Sequence, residues 1–403
     1  MNVVDNGPDS AAGPKHVLRR GVRPQVAEIP FSLIGQVSIP RLGDPDIIPL
    51  WYGESDMPTP AVVVDAAEAA MRAGHTHYAQ KQGIPELRAA LAEYLSDLYG
   101  RPMDAERTSV TSSGMSAIMI ATQALIQPGD NAVAITPLWP NLVDCVRALG
   151  AEPRMVALQP TKDGGWHLDL DRVIANFDDN TRCVFVNSPN NPTGWVMSRA
   201  EAEALLAETR KRGIYLIADE VYARLVYGPA RAAPSLMEIA DPEDRMISIN
   251  SFSKAWAMTG WRLGWMVAPK EVRDVLDTLI EINTSCAPPF IQHAGVAALK
   301  KGEGFVTEMR ERCRLGRDLT IQGLSRFPRV HVAAPAGAFY AFFTVDGITD
   351  DLAFAHKLAD EAKVGLAPGS AFGPAGAGYT RLCYAKSPAL LEQALDRLAP
   401  FLS

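Results

Sequence analysis

Lys254 stands in the run Ser251-Phe252-Ser253-Lys254-Ala255-Trp256-Ala257-Met258-Thr259-Gly260-Trp261-Arg262-Leu263-Gly264. A lysine amine attacks a carbonyl once its surroundings depress its pKa, and Ser251, Ser253 and Arg262 supply hydroxyls and a guanidinium for a phosphate beside it. The chemistry this suits is covalent capture of a phosphorylated aldehyde. Taken alone, the run also reads as a surface lysine in a serine-rich turn, so other segments have to decide.

Four segments bear on it. Thr111-Ser112-Ser113-Gly114-Met115-Ser116 is a small-residue turn ahead of a helical pattern over 117–125. Free amides and the helix dipole at such a start bind phosphate, although an ordinary Ser N-cap looks the same. Asn187-Ser188-Pro189-Asn190-Asn191-Pro192-Thr193-Gly194 is a rigid turn that can aim an Asn amide at a ring substituent. Asp219-Glu220-Val221-Tyr222 offers a carboxylate to pair with a protonated pyridine nitrogen, which keeps the ring an electron sink, and a tyrosine that can donate to a phenolic oxygen. A helix N-cap for Asp219 and core packing for Tyr222 are the plainer alternatives. Arg381, in Tyr379-Thr380-Arg381-Leu382-Cys383-Tyr384, presents a planar fork matched to an amino acid's α-carboxylate, with a solvated strand arginine as its plainer reading. Together these residues answer different atoms of pyridoxal 5′-phosphate and of an amino acid beside it.

Such groups need a common edge on which to meet. Short apolar runs closed by turn residues predict strands over 131–136, 183–187, 215–219, 246–250 and 264–267, and apolar spacings of three and four predict helices over 60–73 and 84–99. Strands alternating with helices make a mostly parallel sheet covered on both faces, with ligands at the carboxyl ends of the strands. The polar constellations fall at those ends. Residues 1–45 read as an arm with one short helix and 46–300 as a large domain. Residues 301–403 read as a smaller α+β domain, with a charged helix over 304–324, strands around 330–332 and 339–343, and two further helices.

The chain has 403 residues, 47% hydrophobic and 21% charged, enough for a large buried core. Its net charge is -7 and no long basic run occurs, so nothing favours nucleic acid; the cluster Lys15, Arg19, Arg20 and Arg23 reads as a solvated arm. The polar, acid-containing N-terminus matches neither a secretory nor a transit peptide, and no apolar run reaches membrane-spanning length. Five scattered cysteines without C-x-x-C spacing argue against a disulfide framework and a thiolate metal site, and a cytoplasmic location is expected. No H-E-x-x-H pattern is present, and Gly376-Ala377-Gly378 is not a dinucleotide-binding G-x-G-x-x-G.

Over residues 48–385 the chain resembles the class I and II aminotransferases of pyridoxal phosphate fold type I, the group that includes aspartate aminotransferase. That resemblance implies an α/β fold: a mostly parallel seven-stranded sheet sandwiched by helices, plus a smaller α+β domain. It implies that Lys254 is the covalent tether, that Asp219 pairs with the pyridine nitrogen, and that Tyr222 and Asn191 contact the phenolic oxygen. Ser113, Gly114, Met115, Ser251 and Arg262 match the phosphate cup, with Ser253 close to it. Trp139, in Thr136-Pro137-Leu138-Trp139-Pro140-Asn141, matches the aromatic stacked on the ring. Gly53 and Arg381 match substrate contacts. Tyr78 matches a tyrosine that reaches the phosphate of the neighbouring subunit, so a homodimer is implied.

The implied activity is a ping-pong transfer of an amino group between an L-amino acid and a 2-oxo acid, in which Lys254 is both tether and proton carrier. Aspartate-specific members hold the distal carboxylate with a second arginine, and the matching partner-subunit position here is Ile282, which argues against a simple aspartate assignment. Tyr52, Trp139, Phe339 and Tyr340 would instead receive aromatic or apolar side chains, although Phe339 and Tyr340 read equally well as strand packing. The amino acid stays open, with glutamate or alanine expected as one partner. A β-eliminating carbon-sulfur lyase shares these motifs and remains an alternative. A non-catalytic aminotransferase-like regulator would carry a DNA-binding domain upstream, for which the arm lacks both length and a helix-turn-helix pattern.

Overall fold

The computed structural model describes residues 21–162 and 164–403. A seven-stranded sheet lies at its centre. The strands are β1 (Thr108–Thr111), β2 (Asn131–Thr136), β3 (Glu152–Ala157), β4 (Thr181–Asn187), β5 (Tyr215–Asp219), β6 (Met246–Ser251) and β7 (Gly264–Val267). Their spatial order is β3-β2-β4-β5-β6-β7-β1. Neighbours are parallel except around β7, which runs antiparallel to both β6 and β1. Five of the strands stand where apolar runs predict them; the two that sequence reading missed, β1 and β3, are the sheet's edges.

Side chains alternate between two buried faces, which is why these strands read as continuous apolar runs. Val133, Ile135, Val184, Val186, Leu216 and Ala218 pack with Val63, Leu87, Leu91 and Leu205 of helices Ala61–Arg72, Pro85–Tyr99 and Arg199–Arg212. Ala132, Ala134, Cys183, Phe185, Ile217 and Ile249 pack with Ile118, Val146 and Ile280 of helices Gly114–Leu125, Pro140–Ala148 and Lys270–Thr284. The carboxyl ends Thr111, Thr136, Asn187, Asp219 and Ser251 therefore share one edge. Asn187 pairs with Asp219 there, and Gly264, at the start of β7, faces both Ser251 and Thr111.

Beyond the helix Glu303–Leu324 comes an antiparallel sheet of β8 (Val330–Val332), β9 (Tyr340–Val345), β10 (Ala367–Pro368) and β11 (Tyr379–Cys383) in the order β8-β9-β11-β10. Helices Asp351–Lys357 and Pro388–Leu402 accompany it. Arg381 sits in β11 opposite Phe342 of β9 and Ala367 of β10. Ile48–Pro49 pairs in parallel with Val364–Gly365, which ties the chain after the arm to this region. Gly365 has to lack a side chain, since a Cβ would lie 2.0 Å from the Trp51 ring.

Among the described residues of the arm there are two short α-helices, Pro24–Ala27 and Leu33–Ser38. Pro24 at the first position starts the former, and Ser32, whose hydroxyl accepts from Gly35 N at 3.2 Å, caps the latter. Lys15, Arg19 and Arg20 lie outside the described residues. Among those described, no helix is long and apolar enough to cross a membrane, no His/Cys/Asp/Glu group could hold a metal, and all five cysteines are free.

Candidate active site

A cavity of about 290 Å³ opens at the shared strand edge, lined by Gly53, Gly114, Met115, Trp139, Asn191, Asp219, Tyr222, Ser251, Ser253, Lys254, Arg262 and Arg381. Ser113 stands just behind it as the N-cap of helix Gly114–Leu125, its hydroxyl accepting from Ser116 N at 2.9 Å. Tyr78 is not brought to this cavity: its ring is 89% exposed elsewhere on the surface. Trp51, Ile34 and Tyr340 also line it, and of these only Tyr340 was singled out by sequence. Phe339 does not line the cavity but packs edge-on against Tyr222, with ring centroids 5.3 Å apart.

One end of the cavity is built for an anion. The first amides of helix Gly114–Leu125 point outward, the Ser251 and Ser253 hydroxyls lie 2.9 Å apart, and Arg262 donates from Nη1 to the Thr259 carbonyl at 2.6 Å. The helix start comes this close because position 264 is glycine. A Cβ there would lie 2.5 Å from Gly114 N and 2.9 Å from the Asn250 carbonyl, both backbone atoms that cannot step aside. Gly264→Ala is expected to destabilise the protein by about 1–3 kcal/mol and to loosen the anion end. Thermal unfolding with and without pyridoxal phosphate checks both effects, and an unchanged midpoint in each condition would count against the cradle.

Two buried carboxylates stand at the end of β5 with different surroundings, and of the two only Asp219 lines the cavity. Asp219 accepts one backbone hydrogen bond, from Val221 N at 3.2 Å, and burial raises its pKa to about 6 against the lowering influence of that bond and of Lys254. Glu220 accepts from the hydroxyls of Ser235 and Ser248 and from Leu236 N, and burial raises it to about 7. Glu220 is thus saturated by the protein, while Asp219 faces the cavity. Asn187 fixes the turn beside them: its amide donates to the Asp219 carbonyl at 3.1 Å and its oxygen accepts from Asn191 N at 2.8 Å.

Lys254 Nζ donates to the Gly53 carbonyl at 2.7 Å. Enclosure by protein lowers its pKa to about 8, a shift that nearby Cys383 opposes and the Arg381 charge deepens. Arg381 is only 2% exposed, with its guanidinium 4.4 Å from the Tyr340 ring centre and 4.8 Å from that of Phe372. It donates to Asn191 Oδ1 at 2.9 Å and to the Trp51 carbonyl, yet its Nε is buried without a partner among the described residues. An orphaned cationic donor of this kind is costly unless an anion comes to it.

The family Aminotransferase class I and II matches residues 45–398. The chain belongs to this family. The aminotransferase is 33% identical to the aspartate aminotransferase of Thermotoga maritima over 94% of its own length and 98% of the relative's. It is 35% identical to the aspartate/prephenate aminotransferase of Thermus thermophilus, over 88% and 90% of the two chains. The solved aromatic aminotransferase of Pyrococcus horikoshii superposes with a TM-score of 0.83 at 33% identity, covering 89% of this chain and 96% of that one. The protein is therefore a transaminase of fold type I that uses pyridoxal 5′-phosphate, and the lyase and regulator alternatives gain no support from its relatives. Its residues fit the cofactor: an anion cradle, a buried carboxylate facing the cavity and an enclosed lysine share one cavity.

Proposed function

We propose that this aminotransferase works as a homodimer by a ping-pong mechanism, with Lys254 as covalent anchor and proton carrier. The observation that carries the reading is the convergence of Lys254, Asp219, Tyr222, Asn191 and Arg381 on one cavity. When bound, pyridoxal phosphate supplies an electrophilic carbon and an electron sink. Ser113, Gly114, Met115, Ser251, Ser253 and Arg262 hold its phosphate, Trp139 packs on its ring, and Asp219 keeps the ring nitrogen protonated. Arg381, which lines the cavity, grips the substrate carboxylate, and that grip orients the substrate so that Lys254 can take the proton from its Cα. Gly53 holds the Lys254 amine through its carbonyl.

Support for the dimer comes from the surface. Exposed Tyr78 lies in a loop that Lys81 fastens, through an ion pair of 3.1 Å to Glu281, to the helix carrying Ile282, which is 73% exposed. Tyr78 of one subunit is thereby free to reach its partner's phosphate site. The change from the parallel to the antiparallel sheet supports the division near residue 300 into a large and a small domain.

We further propose aromatic or aliphatic L-amino acids as substrates. The cationic side chains lining the cavity, among the described residues, are Lys254, Arg262 and Arg381, all with tasks already, while Ile34, Tyr52, Trp139 and Tyr340 give apolar walls. An absorbance-monitored half-reaction screen tests the whole reading. Aromatic and aliphatic amino acids should convert the loaded protein fastest, each releasing one equivalent of 2-oxo acid and no ammonia. Pyruvate and ammonia from cystathionine would contradict the transferase, and preference for aspartate would contradict the substrate class.

The enclosed lysine also sets a pH dependence. Only the neutral amine attacks an aldehyde, and moving the pKa from 10.5 to about 8 raises the neutral fraction at pH 7 about 300-fold. Capture of pyridoxal phosphate by the cofactor-free protein should therefore quicken about tenfold per pH unit and level off above pH about 8. Stopped-flow absorbance measures this, and a plateau only beyond pH 10 would mean that the lysine titrates as if in water.

A further inference from the structure

We infer that Tyr340 is a positioning residue for the reaction: its hydroxyl donates to Tyr222 and so commits the Tyr222 proton to the phenolic oxygen of the bound cofactor. The inference rests on the roles proposed above for Lys254 and Tyr222 and extends them to a residue the motifs do not mark. The two hydroxyl oxygens lie 2.6 Å apart, and both side chains are buried at 3% and 1% exposure. Neither hydroxyl has another hydrogen-bond partner among the described residues.

Two hydroxyls carry two protons, and a single contact uses one of them. If Tyr222 donated to Tyr340, the Tyr340 proton would be left without an acceptor in a buried place, and Tyr222 would have no proton left to offer the cofactor oxygen beside Asn191. With Tyr340 as donor, both protons have acceptors once the cofactor is present. The surroundings favour that direction. The Arg381 guanidinium lies 4.4 Å over the Tyr340 ring and stabilises negative charge on its oxygen, which makes this hydroxyl the stronger donor.

Gly53 supplies the room. A Cβ on Gly53 would sit 1.9 Å from the Tyr340 hydroxyl oxygen, so only glycine lets that hydroxyl stand here, while the Gly53 carbonyl holds the Lys254 amine. Lys254 Nζ in turn lies 5.6 Å from the centre of the Tyr222 ring. Gly53, Tyr340, Tyr222 and Lys254 thus form one chain of contacts. Hydrogen bonds in series strengthen each other, so a Tyr222 that accepts from Tyr340 donates more strongly to the phenolic oxygen. Stronger donation stabilises the phenolic anion, and the proton of the lysine–cofactor linkage then leaves at lower pH.

The test is a spectrophotometric pH titration of the loaded enzyme, which follows the visible band of the linkage. Tyr340→Phe should raise its apparent pKa by about 0.5–1 unit, Tyr222→Phe should raise it further, and the double variant should match Tyr222→Phe alone. Gly53→Ala keeps both tyrosines but displaces the Tyr340 hydroxyl. It should raise the pKa in the parent protein and add nothing to Tyr340→Phe. A Tyr340→Phe pKa equal to the parent's, or an equal shift added on top of Tyr222→Phe, would overturn the inference while leaving the Lys254 reading intact. A parent protein that forms no visible band with pyridoxal phosphate would overturn both.

Discussion

Lys254→Ala should abolish the visible absorbance that marks a lysine-bound cofactor and lower turnover by about 10⁴-fold. Both effects follow from the two tasks proposed for one amine. Without it the aldehyde would have no internal partner and the substrate's Cα–H no base, since Asp219 is the group proposed to hold the ring nitrogen and Arg381 does not release protons. The phosphate cradle and Asp219 remain, so pyridoxal phosphate should still bind, though only noncovalently. Equilibrium dialysis with steady-state assays separates the two losses. Retention of the lysine-linked band together with full turnover would show that another residue carries the chemistry.

Asp219→Asn is expected to lower kcat by about 10- to 1,000-fold with a smaller effect on KM. An ionised carboxylate within hydrogen-bonding distance shifts the pKa of a paired nitrogen by about one to three units, and each unit is about 1.4 kcal/mol. An amide of the same shape can keep the hydrogen bond from Val221 N, so the loop survives, but it carries no charge to hold the ring nitrogen protonated. Burial at 5% exposure removes the solvent that would otherwise share this task. Single-turnover kinetics are the direct measure, because the defect belongs to the proton-transfer step. A kcat within twofold of the parent would remove Asp219 from its proposed place.

The strand-end groups were legible from the chain because their chemistry is concentrated in short runs at the ends of buried apolar strands. Burial on both faces makes β2, β4, β5 and β6 conspicuous as short apolar runs, and it leaves Asn187, Asp219 and Ser251 as polar residues that close three of them. The edge strands were harder to see. β3 carries Glu152, Pro153 and Arg154, as an edge tolerates, and β1 is Thr-Ser-Val-Thr, which reads as part of the turn that follows it.

Tyr340 was ambiguous for a different reason. Alternation in Phe339-Tyr340-Ala341-Phe342-Phe343 shows that one of the first two residues faces the site, but register chooses which. Pairing of Tyr340 with Cys383 and of Phe342 with Arg381 brings the Tyr340 hydroxyl to Tyr222 and leaves Phe339 in the core. Glu220 could be read as a polar neighbour of Asp219, but its acceptors are filled by Ser235, Ser248 and Leu236 N, contacts that no local pattern encodes. Tyr78 has its proposed task on another subunit, so a single chain leaves it exposed.

The most direct measurement is to treat the pyridoxal-phosphate-loaded protein with borohydride, digest it and map the fixed cofactor by mass spectrometry. The account places the modification on the peptide containing Lys254, at one cofactor per chain, and it should be absent from Lys254→Ala. A cofactor fixed to a different lysine, or none fixed to a protein that still transfers amino groups, would contradict it.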